Sequence, residues 1–192
     1  MSALLRAAAL LADPVSAWAR IEKEAGDVAY LLVSYVALFA LIPALSGFIG
    51  DCVIGVIVPG RGTVRLPIFD GLLGAAFGYV ASFAQVLVVG LSLDVVAPWF
   101  GANRSFAAAL KLAVYSFTPV WLAGVFWLLP GLRFLLFVGF YGAFILAEGL
   151  PTLMRAPERK ALPYAAVIVV IAAVLVFLTV FAQRSLFGAA PF

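Results

Sequence analysis

The sequence contains no histidine and a single cysteine, Cys52. The first absence removes imidazole-based triads, histidine metal sites and imidazole proton shuttles together. The second rules out an intrachain disulfide, and a lone thiol is silent on redox compartment. Charge is scarce as well: 11% of the 192 residues, against roughly 25% in a typical globular domain. Hydrophobic residues reach 66%. That composition lacks the polar surface a water-soluble fold of this length needs, and it places the chain in a membrane. The net charge of +3 is spread through short turns, and no patch is dense enough for nucleic acid.

Without histidine, nucleophile–base chemistry would need a Ser–Lys pair or a carboxylate dyad. Asp51 and Asp70 fall together at one end of the expected bundle, but both read as interfacial span ends. No group of acidic residues and cysteine has the count or spacing of a metal site. The expectation is a protein that is not an enzyme, with no catalytic residues, no metal and no cofactor.

Apolar runs dominate what remains. Residues 2–12 form a short helix candidate interrupted by Arg6, without a credible cleavage site, and read as mature sequence. Asp13-Pro14 reads as an N-cap followed by proline at the first helical position. The next helix puts Val15, Trp18 and Ile21 on one face and its charges elsewhere. It fits a surface-lying amphipathic element with Trp18 at the interface, or a soluble preamble packed on the first span. Five apolar runs follow, near residues 29–49, 71–93, 113–129, 134–153 and 164–183. Each approaches the ~20 residues needed to cross a ~30 Å hydrocarbon core. The expected class is therefore all-α: a polytopic membrane protein, a bundle of five transmembrane helices with a short amphipathic N-terminal helix. Residues 1–28 form the N-terminal segment and 29–192 the five-helix domain.

Sidedness comes from the basic residues. With the N-terminus cytoplasmic, that side carries Arg6, Arg20, Lys23, Arg104, Lys111, Arg155, Arg159 and Lys160. The other carries Arg61, Arg65, Arg133 and Arg184. Eight against four favours N-in, C-out. Between the first two spans, β-branched runs flank Pro59-Gly60-Arg61-Gly62, which reads either as a small hairpin or as a first span continuing past Asp51.

Within the spans, Gly74, Gly78 and Ser82 line one face at spacing four, for packing inside the bundle or in a homodimer. Pro119 frees the carbonyl of Tyr115, with Ser116 and Thr118 close enough to compensate. The fifth span is apolar all round and chemically silent, and is expected to face lipid. Glu148 is the one carboxylate placed in the hydrocarbon region, about 9 Å from the end of the fourth span by helical rise. Lys111 is its natural counter-charge, with Arg155 or Arg104 as substitutes. Three readings stand: a buried ion pair, a protonatable or cation-binding site in a transport path, or solvation near the surface. Tyr115, Tyr141 and Gln85 are the other candidates for this intramembrane polar site. Asp94, Trp99, Arg104, Arg155, Arg159 and Lys160 join Trp18 as the cytoplasmic interface, with Asp94 paired to Lys111 or Arg104.

Several of these marks recur in a recognisable order. Asp13-Pro14, Trp18, Ile21 and Glu24 precede the first span. Trp99-Phe100-Gly101 and Ser105-Phe106 lead to Tyr115, Pro119 and Trp121. Tyr141, Gly149-Leu150-Pro151, Met154, Pro157, Lys160 and Tyr164 follow. Together they resemble the Yip family, the Ypt/Rab-interacting membrane proteins, and more closely its prokaryotic branch. The resemblance implies five transmembrane helices and a cytoplasmic N-terminus. Its eukaryotic members serve small-GTPase-dependent vesicle traffic and bind through a cytoplasmic N-terminal region. That region is residues 1–28 here, so the GTPase-binding extension is expected to be truncated or absent.

The Ala-rich, Arg-over-Lys composition looks bacterial, and the expected location is the inner membrane with the C-terminus outside. The expected role is a non-enzymatic adaptor or organiser that binds other membrane proteins or lipids through its cytoplasmic face. The alternative is a small transporter, channel or lipid-translocating unit, dimeric through the Gly74/Gly78/Ser82 face. A polar cavity between spans two, three and four containing Glu148, Gln85 and the tyrosines favours the alternative; a dry, paired carboxylate favours the first.

Overall fold

The computed structural model describes residues 3–24, 28–58, 60 and 62–187. Two short helices come first, α1 (Ala3–Ala12) and α2 (Pro14–Glu22). Five helices follow that are long and apolar enough to cross a membrane: α3 (Val28–Ile54), α4 (Ile68–Phe100), α5 (Phe106–Leu128), α6 (Pro130–Met154) and α7 (Glu158–Leu186). The third span begins seven residues earlier than its apolar run implies, which brings Lys111 inside a buried helix. Ser105 makes that start possible, because its Oγ accepts from Ala108 N at 3.4 Å. Both readings of the 50–70 stretch hold at once. The first span continues to Ile54, and then β1 (Val56–Val58) pairs with β2 (Gly62–Val64) as an antiparallel hairpin.

The helix α5 is the post of the bundle, far more buried than any other span. It packs on α4 and α6, and α7 closes the outside against α4 and the second half of α6. Pro119 interrupts α5 as its chemistry requires, with a turn at Phe117. The carbonyl of Tyr115 that it frees accepts from Thr118 Oγ1 at 2.7 Å. Thr118 Oγ1 also shares a 2.8 Å hydrogen bond with Tyr35 OH from α3. The break is thus repaired by one side chain, because lipid offers no water to do so.

Two expectations change. The N-terminal element does not pack on the first span: α1 and α2 form a hairpin whose buried face lies against the fourth, with α2 running parallel to α6. Glu22 pairs with Arg155 at the base of α6, Trp18 reaches Ile145, and Leu11 O accepts from Tyr141 OH at 3.2 Å. Tyr141 is about 20 Å along α6 from Met154 at 1.5 Å per residue, so the hairpin rises deep beside the spans. Trp18 is fully buried, away from the interface where it was expected. Its partner explains this, since a Cβ on Gly149 would stand 2.6 Å from the indole and 2.4 Å from Leu112, and glycine leaves that room.

The fifth span is not chemically silent. Its outer face is apolar and exposed, but Thr179 Oγ1 accepts from Gln85 Nε2 at 2.7 Å. Gln183 covers Gly74 and Gly78, where added Cβ atoms would meet its side chain at 3.2 and 3.4 Å. Gly74 and Gly78 therefore pack within the bundle against Gln183 of α7.

Thr118→Val should lower stability by about 1–3 kcal/mol, because it strands the Tyr115 carbonyl and the Tyr35 hydroxyl in a buried site. Ser116→Ala, two residues away on a hydroxyl with no partner among the described residues, should change it little. Thermal unfolding of the two variants in the same detergent compares them directly.

Candidate functional site

Two polar regions emerge, on opposite sides of α5. On one side, Arg6 of α1 is buried and makes a two-point ion pair with Glu24, at 2.6 and 3.0 Å. Its guanidinium also donates to Tyr115 OH and lies 5.5 Å from that ring and 6.0 Å from the ring of Tyr30. Burial acts to lower the Arg6 pKa, but Tyr115 and then Glu24 outweigh it and the net direction is upward. The group stays a cation.

Lys111 lies next to this pair, and its partners correct the sequence expectation. Its ammonium donates to the carbonyls of Ile21, at 3.4 Å, and Glu24, at 2.5 Å. These are carbonyls at the C-terminal end of α2, at the negative end of the helix dipole, and Ile21 O takes the ammonium in addition to Glu24 N–H at 3.2 Å. A cation is favoured there, so Lys111 caps α2 and does not pair with Glu148. Tyr115 receives Arg6, and Tyr141 donates to Leu11 O. Three of the five residues expected to form one intramembrane site therefore hold the N-terminal hairpin instead. Glu148 itself is half-buried on α6 and forms no ion pair among the described residues.

On the other side of α5 lies a cavity of about 540 Å³, bounded by all five spans. Gln85, Ser82, Ser116 and Thr179 contribute polar atoms to a mainly apolar lining. Of the five candidates only Gln85 faces it; Glu148, Lys111, Tyr115 and Tyr141 do not. The expected combination of Glu148, Gln85 and tyrosines in one cavity is absent, because Glu148 lies on a part of α6 outside the lining. At the end of the cavity farthest from α1 and α2, Arg133 pairs with Asp51 and packs 5.1 Å from the Trp127 ring.

The interface residues other than Trp18 do collect at one end. Asp94 accepts from Arg104 at 2.9 Å. Asn103 N donates to Met154 O at 2.8 Å, which joins the 101–105 loop to the turn after α6. Arg155 makes that turn in the left-handed conformation, φ 53°, and pairs with Glu22. Trp99, Arg159 and Lys160 are exposed beside it.

Sequence reasoning missed Arg6 and Glu24 as a pair. The signal was present: Arg6 is the lone charge in an apolar helix, and such a charge needs a partner.

These features define a polytopic α-helical membrane protein whose five spans enclose a cavity and whose N-terminal hairpin is held by a part-buried ion pair. Residues 8–180 match the Yip1 domain, and the chain belongs to that family. It is similar to inner membrane protein YohC of Escherichia coli K12, 30% identical over 169 residues that cover 83% of this chain and 86% of the relative. YohC of E. coli O6:H1 matches to the same extent. No solved structure matches.

Gly149→Ala should lower stability by about 1–3 kcal/mol by forcing a methyl between Trp18 and Leu112, and Trp18→Ala by about 3–5 kcal/mol. In both, trypsin should cut at Arg20 or Lys23 at temperatures where the wild-type hairpin is protected. Resistance equal to wild type would mean that the hairpin is not held through this contact.

Proposed function

We propose that this protein acts non-enzymatically, as an inner-membrane adaptor or organiser that binds other membrane proteins. Its N-terminus faces the cytoplasm and its C-terminus the outside. The observation that carries the reading is the single surface at the hairpin end of the bundle. The 101–105 loop and the turn after α6 are joined through Asn103 and Met154, and Phe100 stacks on Tyr164 at 4.8 Å. That surface presents Trp99, 75% exposed, among Arg104, Arg155, Arg159 and Lys160. An exposed tryptophan on the same end of the bundle as three arginines has the composition of a binding hot spot. The basic excess at this end supports the cytoplasmic orientation, and the similarity to an inner membrane protein supports the location.

A second reading, a small transporter or lipid-translocating unit, draws on the cavity. Its polar centre would be Gln85 with Thr179 and Ser116 rather than Glu148.

A photo-crosslinker at Trp99 in native membranes should yield one constant protein adduct, lost when Arg159 and Lys160 are both changed to Ala. Adducts to lipid alone would remove the adaptor reading. For orientation, Cys52 is buried against Gly71 and cannot report. Cysteine at Gly62 would be strained at φ 74°, so exposed Thr63 is the better probe. In a Cys52→Ala background, Thr63→Cys should react with an impermeant maleimide from outside intact spheroplasts. Reaction only after lysis reverses the orientation.

A further inference from the structure

The cavity has a shape and a polarity that point to an occupant, independently of what docks at the hairpin end. It runs along α4 from Asp70 to Val89, about 28 Å at 1.5 Å per residue. Most of that length is apolar. Ionisable groups line it at one end only, where Asp51, Asp70, Arg133 and Arg184 meet at the ends of four spans. Trp127 lies beside Arg133 there, as aromatic residues do at the headgroup level of a bilayer. The enclosure is incomplete on one side. Residues 130–140 of α6 pack on α5, whereas α7 packs on α4 and on residues 141–154 of α6. The cavity wall is thus weakest between the first half of α6 and the last half of α7, facing the bilayer.

Two buried polar atoms on lining residues have no partner among the described residues, Ser116 Oγ and Arg133 Nε. An orphaned donor is costly anywhere and most costly where lipid replaces water. Asp51 takes one NH2 group of Arg133 and Nε is enclosed, which leaves the other NH2 group of the guanidinium for a second acceptor. Asp70, in the first turn of α4, forms no ion pair among the described residues. One end of a long apolar cleft therefore offers an N–H donor and a second arginine suited to a phosphate, and a carboxylate suited to an ammonium.

We infer that the cavity binds one phospholipid with a zwitterionic, primary-ammonium headgroup. Arg133 and Arg184 hold its phosphate, Asp70 holds its ammonium, and an acyl chain lies along α4 past Gln85 and Ser116. An anionic phospholipid would satisfy the arginines but would leave Asp70 facing negative charge.

The test uses full-length protein purified in detergent and offered phosphatidylethanolamine, phosphatidylglycerol or phosphoethanolamine without chains. Bound molecules are counted by native mass spectrometry, and thermal unfolding checks that every variant is folded. The expected result is one phosphatidylethanolamine per chain, preferred about fivefold over phosphatidylglycerol, the scale of one half-exposed ion pair. Asp70→Asn should erase that preference and Asp70→Glu should keep it. Arg184→Gln should weaken both lipids, and phosphoethanolamine alone should not bind measurably. Folded protein that retains no lipid, equal binding of the two lipids, or a preference that survives Asp70→Asn would each overturn the proposal. Binding of the bare headgroup as tightly as the lipid would overturn it too.

Discussion

Arg6 sits in the first apolar helix of the chain and keeps its charge in the bundle interior, where an unpaired ion would cost several kcal/mol. Its neutralisation fixes the position of everything before the first span. Glu24 supplies the carboxylate from beyond the end of α2, and Tyr115 supplies a hydroxyl from the middle of α5. Meeting both demands folds α1 back on α2 and seats the pair against α5 and α6. Lys111 then finds the carbonyl end of α2 within reach, and Trp18 finds the gap over Gly149. Each contact is modest alone, and their agreement on a single placement makes the hairpin part of the core.

The same helix that receives Arg6 also borders the cavity, and the two functions are kept apart by side. Lys111, Tyr115 and Thr118 point toward the hairpin and α3, whereas Ser116, Val120 and Gly124 line the cavity. Pro119 divides α5 between them. Its cost is absorbed by Thr118, whose hydroxyl serves both the freed carbonyl and Tyr35. On one side of its central post the bundle has a polar face in which Arg6, Lys111, Tyr115 and Thr118 are all hydrogen-bonded, with Arg6 Nε alone unpartnered among the described residues. On the other it has a space whose polar atoms are only partly satisfied.

This asymmetry also runs end to end. The hairpin end is braced by ion pairs and loop-to-loop hydrogen bonds, from Arg104–Asp94 to Arg155–Glu22. The far end has a short β-hairpin and the charged rim of the cavity. A rigid basic surface suits recognition of another protein, and an incompletely walled apolar cleft suits contact with lipid. Both belong to one Yip1-domain fold.

The sequence by itself determined the membrane class, the five spans, the Asp13-Pro14 start of α2 and the Pro119 break, and it narrowed the repair to Ser116 or Thr118 and the partner of Asp94 to Lys111 or Arg104. All of these follow from local pattern: hydrophobic length, capping chemistry and neighbours within a helical turn or a short loop. Only the tertiary structure decided what Lys111, Tyr115 and Tyr141 do, because their partners lie up to 130 residues away, and it left Glu148 without an ion pair among the described residues. A one-dimensional reading pairs a lone carboxylate with the nearest cation in depth, but Lys111 was already taken by the carbonyls of α2. Arg6 was visible as an oddity, and its destination was not, since composition records which charges exist but not which of them meet.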